Sequence, residues 1–345
     1  MIAMPARWAA NHQSERMMST TPKLVTVFGG SGFAGRYVVR ALAKRGYRIR
    51  VAVRRPDLAG FLQPLGNVGQ IQFVQANLRF PESVARACEG ADVVVNLVGI
   101  LSEYGKQTFS VVQNEGAKTV AEAAKAVGAS MVHLSSLSSD FQSKSAYAKS
   151  KAKGEAAVLR VMPDAVIMRP SVMFGPEDEF FNKFALMAQL SMVLPAIGWG
   201  KTKLQPVYVA DVAEAIALAV DGKTKTGRAY ELGGPEVATF RECLEIMLKV
   251  INRKRMILPL PWWISQLMGR WFGLFGRVFG LLSSPILTLD HVYLLEEDNV
   301  VSNEAKISGL TLEGLGIQPS TMNAILPSYL VRFQPHGQYG GQHIA

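Results

Sequence analysis

Cysteine is nearly absent: Cys88 and Cys243 are the two in 345 residues. So sparse a set excludes a disulfide framework and fits a reducing compartment. Acidic charge is also scarce, with 27 Asp and Glu against 37 Lys and Arg, a formal net charge of +10. The excess points to an anionic partner such as a phosphate, a lipid head group or an acidic protein surface. Nucleic acid is not expected, because no stretch combines dense Lys/Arg with interleaved aromatics. The first 22 residues lack the apolar core of a secretory signal and read as a disordered extension. The most apolar region, 259–282, is interrupted by Arg270 and Arg277 and falls short of the ~20 apolar residues that span a bilayer. Internal repeats and low-complexity tracts are missing. No metal site is expected; His133 lies inside an apolar run and reads as a sheet or core residue.

What is present is chain enough for a sizeable core, 49% hydrophobic, in one large domain or two smaller ones. Its organising stretch is Gly29-Gly30-Ser31-Gly32-Phe33-Ala34-Gly35-Arg36, which follows the β-branched run Val25 to Phe28 and opens a helical pattern. Gly29 permits the tight turn off the strand. Gly32 lets backbone approach a pyrophosphate, and Gly35 lets helix pack on strand. The helix start supplies free N–H groups and the positive end of a dipole. The loop therefore predicts dinucleotide binding, with Ser31, Phe33 and Arg36 among its lining residues.

Five strands are expected over 24–28, 48–53, 71–75, 92–99 and 130–136, separated by helical patterns at 33–45, after Pro81 and at 113–127. A sixth follows at 165–168. Such alternation predicts right-handed βαβ units and a doubly wound parallel sheet of the α/β, Rossmann class, with a smaller, mostly helical C-terminal lobe. The second strand ends in Arg54-Arg55, where an acidic residue would bind the ribose 2′-hydroxyl of NAD. Arginines there suit a 2′-phosphate, so NADP(H) is the expected cofactor.

The G-x-x-G-x-x-G spacing resembles the short-chain dehydrogenase/reductase superfamily in its extended or atypical branch. The resemblance implies that Asn77 and Leu78 contact the adenine, that Val98-Gly99 run along the cofactor, and that Ser135 and Pro170 border it. Tyr147-Ala148-Lys149-Ser150-Lys151 supplies Y-x-x-x-K after the fifth strand. On a helix Tyr147 and Lys151 share a face, so the ammonium can favour the phenolate and bond the nicotinamide ribose. The superfamily's third member, a hydroxyl after the fifth strand, aligns with Leu137, with Ser135, Ser136 and Ser138 nearby. That predicts a vestigial dyad with doubtful turnover, since the developing oxyanion lacks its donor.

Four second-half runs narrow the resemblance: Gly175 to Phe184, Gln205 to Val209, Asp298 to Ser302 and Ile325 to Leu330. Together they resemble the NAD(P)H-binding accessory subunits of respiratory complex I, the alpha-subcomplex subunit nine family and its alphaproteobacterial counterparts. That resemblance implies tightly held NADP(H) in a structural or assembly role off the electron path. It also implies other complex I subunits as partners, at the junction of the peripheral and membrane arms. The expected location is peripheral, on the cytoplasmic face of the bacterial inner membrane, or the matrix side in a mitochondrion.

Trp262, Trp263, Trp271 and Phe272 with spaced arginines suit a docking helix, with anionic lipid contact a further expectation. The expected division is a dinucleotide domain of 23–168 and about 203–231, a C-terminal lobe of 169–202 and 232–333, and a tail from 334. The alternative is an independent NADP-dependent reductase or epimerase of the extended type.

Overall fold

A computed structural model describes residues 22–279, 288–335 and 337, the last eight residues of the first range (272–279) by backbone alone. The extension up to residue 21 and most of the tail named above lie outside the described residues, as do 280–287. Leu24–Phe28 (β1) is a β-branched run buried on both sides, as a central parallel strand must be. Phe33–Lys44 (α1) follows, with Ala34, Gly35, Val38, Val39, Leu42 and Ala43 on its buried stripe. The pattern continues through Arg48–Val53 (β2), Ile71–Gln75 (β3), Pro81–Cys88 (α2) and Val93–Asn96 (β4). A π-type turn over Ser110–Glu115 leads into Gly116–Ala126 (α3), then Ser130–Leu134 (β5), Ala146–Val161 (α4) and Val166–Pro170 (β6).

The fourth strand is shorter than its apolar run. After Asn96 the chain leaves the sheet, and the Asn96 carboxamide oxygen accepts from the Val98 N–H at 3.1 Å. The short Met173–Phe174 (β7), Phe181–Leu190 (α5), Val193–Ile197 (β8), Lys203–Leu204 (β9) and Val207–Tyr208 (β10) follow. The chain then returns through Val209–Val220 (α6), which packs on α1, to Ala229–Leu232 (β11).

The large sheet has seven strands in the order β11-β6-β5-β4-β1-β2-β3, every pair parallel. The strand order reverses direction between β1 and β4, and a crevice opens there at the carboxyl ends of the strands. Apolar clusters fill both faces of this sheet.

A separate cluster gathers Phe174, Phe181, Phe240, Leu244, Met247, Leu326 and Leu330, all buried. It lies among α5, Phe240–Val250 (α7) and Met322–Leu330 (α11), and burying Phe240 alone is worth roughly 1.5–3 kcal/mol. Two-stranded pairs stitch this region: β10 with β7, β9 with Ala238–Thr239 (β12), and β8 with Met256–Leu260 (β13). Trp262–Phe279 (α8), Leu289–Leu294 (α9) and Asn303–Ile307 (α10) complete the described elements. Among the described residues no helix is long and apolar enough to cross a membrane.

Candidate nucleotide site

At the crevice Gly29 takes φ +77°, and a Cβ there would press within 3.2 Å of the Val98 backbone nitrogen. Its N–H donates to the Ala52 carbonyl at 3.2 Å and its carbonyl accepts from Gly32 at 3.0 Å. Gly35 is more constrained: a Cβ would lie 2.2 Å from the Gly29 oxygen. Gly32, the N-cap of α1, is exposed, and Ser31 and Phe33 flank it half-buried. The loop thus offers open backbone amides at a helix start, the geometry that accepts a pyrophosphate.

The basic residues around it are partly committed. Arg55 holds Asp57 bidentately, at 2.9 and 2.6 Å, and both are exposed. Arg54 is exposed and, among the described residues, forms no ion pair. Arg36 pairs with Glu177 at 3.0 Å and covers the Phe61 ring at 5.0 Å. Glu177 also accepts from the Tyr37 hydroxyl at 3.0 Å. Asn77 forms a local turn, its side-chain oxygen accepting from the Arg79 N–H, and Leu78 is buried against Gly116.

On the other side of the crevice, Lys151 is buried and its Nζ donates to the Leu134 carbonyl at 3.1 Å. It lies 5.9 Å from the centre of the Tyr147 ring, and a Cβ at Gly99 would meet its Nζ at 3.3 Å. Burial lowers the Lys151 ammonium to about 8, against the opposing pull of Glu155. Tyr147 is raised to about 12 by burial and the Asp290 carboxylate, while a hydrogen bond from Ser136 works the other way. Ser135 is buried with its hydroxyl unpartnered, and the Pro170 carbonyl accepts from the Leu137 N–H at 3.0 Å.

The hydroxyl beside Tyr147 is therefore Ser136. The residue aligned on that place, Leu137, is tied to β6 by its backbone, and Ser138 accepts instead from Asn299 Nδ2 at 2.8 Å. Sequence spacing gave no signal for Glu177 or Asp290, which reach the site from 140 or more residues away. His133 is buried in β5, its Nδ1 3.3 Å from the Asn96 amide nitrogen. Among the described residues no cluster of His, Cys, Asp or Glu could hold a metal. One cavity of about 500 Å³ lies away from the crevice, between α7 and β13.

Glycine loop, crevice and Y-x-x-x-K helix on a doubly wound sheet define a Rossmann-type nucleotide-binding protein. The profile of the NAD dependent epimerase/dehydratase family matches residues 25–233. An NADPH-dependent quinone oxidoreductase from Escherichia coli, solved with NADPH, shares the fold at a TM-score of 0.68 and 20% identity, over 89% of this chain and 98% of that one.

Among sequence relatives, the mitochondrial NADH dehydrogenase (ubiquinone) 1 alpha subcomplex subunit 9 of Arabidopsis thaliana is 35% identical over 328 residues, 93% of this chain and 81% of the relative. The ceramide reductase of Caulobacter vibrioides is 37% identical over 191 residues, 55% of this chain and 58% of that protein. The chain belongs to the alpha subcomplex subunit 9 family, within the epimerase/dehydratase fold.

Proposed function

We propose that this chain is a nucleotide-holding accessory subunit of NADH:ubiquinone oxidoreductase, with a structural or assembly role off the electron path. The observation that carries the reading is the match to the subunit 9 relative along 93% of the chain, the dinucleotide loop included. Its cofactor is NADP(H), held tightly. Arg54 is the cation free to meet a 2′-phosphate, whereas Arg55 must first give up Asp57. The protein sits peripherally where the peripheral and membrane arms join, on the cytoplasmic or matrix side, with α8 turned to subunits or anionic lipid.

Immunoprecipitation from solubilised membranes is expected to recover the other subunits, and native mass spectrometry to find one NADP(H) per chain. An unassociated protein without nucleotide would overturn the reading. Arg54→Ala should weaken NADPH about tenfold or more and leave NADH nearly unchanged, read by titration.

A second reading is favoured by the trio Tyr147, Ser136 and Lys151 and by the ceramide reductase relative. In it the chain is an NADP-dependent reductase or epimerase acting on an amphipathic substrate. NADPH supplies hydride when bound. The Ser136 hydroxyl orients a substrate carbonyl oxygen, Tyr147 delivers its proton, and Lys151 favours the phenolate that remains. Loss of turnover in Tyr147→Phe with NADPH binding intact would establish this reading, and absence of any substrate-dependent NADPH oxidation in the wild type would remove it.

A further inference from the structure

Residues 288–299, which come after α8 in the sequence, bond to the start of α4 and to the turn after β5. Gly269 of α8 packs so closely on this segment that a Cβ would lie 2.9 Å from the Leu289 Cα. From α9 the Asp290 carboxylate reaches the first turn of α4. It accepts from the Ala146 N–H at 2.7 Å, the Ser145 hydroxyl at 2.8 Å and the Tyr147 N–H at 3.3 Å. His291 bonds the Leu101 backbone beyond β4. Glu296 accepts from Lys144 at 2.7 Å and from Gln266 of α8 at 3.0 Å, and Asn299 donates to Ser138.

Helix α4 does not depend on Asp290 to begin. Ser145 already caps it by accepting from the Ala148 N–H, and the helix runs 16 residues. What Asp290 adds is a fixed position for that first turn, with negative charge at the positive end of the helix dipole. The turn carries Tyr147, with Lys151 one turn further on.

We infer that Asp290 is a positioning residue of the nucleotide site, and that segment 288–299 couples occupancy of that site to the α8 surface. The inference rests on the reading of 29–36 as the nucleotide loop. The coupling is reciprocal: whatever holds α8 in place steadies Tyr147 and Lys151, and nucleotide bound to them steadies α8.

Hydrogen exchange of the full chain with and without NADPH tests this. In the wild type, NADPH is expected to slow exchange at 29–36, 145–151, 288–299 and the α8 backbone through 271. Asp290→Ala should bind NADPH about tenfold more weakly, the order of lost charge at a helix N-terminus with its hydrogen bonds, with slowing confined to 29–36. Asp290→Asn, which keeps one acceptor oxygen, should fall between. A 3-fluorotyrosine placed at 147 should shift its fluorine resonance in Asp290→Ala and not in Glu245→Ala, which breaks only the exposed pair with Arg241.

Should Asp290→Ala fail to fold, Glu296→Gln serves. It loosens Lys144 at the start of α4 and weakens the tie to Gln266 of α8, and should raise exchange in α8 and at 145–151 together; faster exchange in α8 alone would overturn the coupling. Wild-type protein that binds NADPH without slowing at 288–299 overturns the inference alone. Wild-type protein that binds no NADPH overturns the nucleotide reading as well.

Discussion

Burial, and secondarily the neighbouring Lys151 ammonium, pull the His133 imidazole down to about 3. Its folded value lies below its unfolded one, so between about pH 6.5 and 3 the unfolded chain binds a proton that the folded chain refuses. The stability tied to His133 is thus complete above pH 6.5 and drains as the pH falls. His133→Leu should remove that drain. Across pH 6 to 4, wild-type stability should fall more steeply than the variant's by about 1.4 kcal/mol per pH unit, measured by urea unfolding at each pH. Equal slopes would mean that the ring finds a partner when charged. Burial likewise lowers Lys151 to about 8, so the stability tied to it is complete above the unfolded value of about 10.4 and drains as the pH falls toward 8.

At the scale of elements, α4 is tied to β6 by the ion pair of Glu155 and Arg169. The guanidinium meets the carboxylate at 3.0, 3.1 and 2.5 Å, and Glu155 is buried. Removing one partner leaves a charge stranded, so Arg169→Met should cost about 3–5 kcal/mol. The double change Glu155→Leu with Arg169→Met should recover most of that loss, seen as a restored urea midpoint at unchanged slope. An additive double variant would show that the pair is solvated.

Elements also explain what could be read in advance. The nucleotide half was legible because its signals are local: a strand, three glycines and a helix within a dozen residues, then alternation at regular intervals. Ser136 was not, because which of three consecutive residues turns to Tyr147 depends on where β5 ends and on the Leu137 N–H pairing with Pro170. The second-half motifs had a different legibility. They were readable as a family pattern and not as chemistry, since their partners lie far along the chain. Asp178 accepts from the Tyr329 hydroxyl at 2.5 Å and from the N–H groups of Gly175, Phe180 and Asn182. Gln205 accepts from the Val301 N–H at 2.9 Å. Asn299 accepts from the Ser171 hydroxyl at 2.6 Å. Within this chain the motifs satisfy one another's buried polar groups.

For the whole molecule, a set of cations and exposed apolar side chains lies along one helix and the strand before it. Helix α8 has no acidic residue and carries Arg270 and Arg277, while Trp263, Leu267 and Trp271 are about half exposed or more. The preceding strand exposes Met256 and Leu258, and Arg241, Arg253, Lys254 and Arg255 line the 500 Å³ cavity beside it. No described helix is long and apolar enough to cross a bilayer, so the way a helix with cations inside it would meet a membrane is by lying in the head-group layer. Tryptophan bodies suit the head-group layer, and each Lys or Arg near an anionic surface adds about 1 kcal/mol. The full chain should therefore sediment with vesicles containing phosphatidylglycerol and much less with pure phosphatidylcholine, and added salt should release it. Trp263→Ser with Leu267→Ser should weaken sedimentation at every salt concentration. Lys254→Glu should act chiefly at low salt, because it removes the screened part of the attraction. Retention by both vesicle types alike, or full retention in the paired serine variant, would assign this face to a protein neighbour in the complex in place of the bilayer.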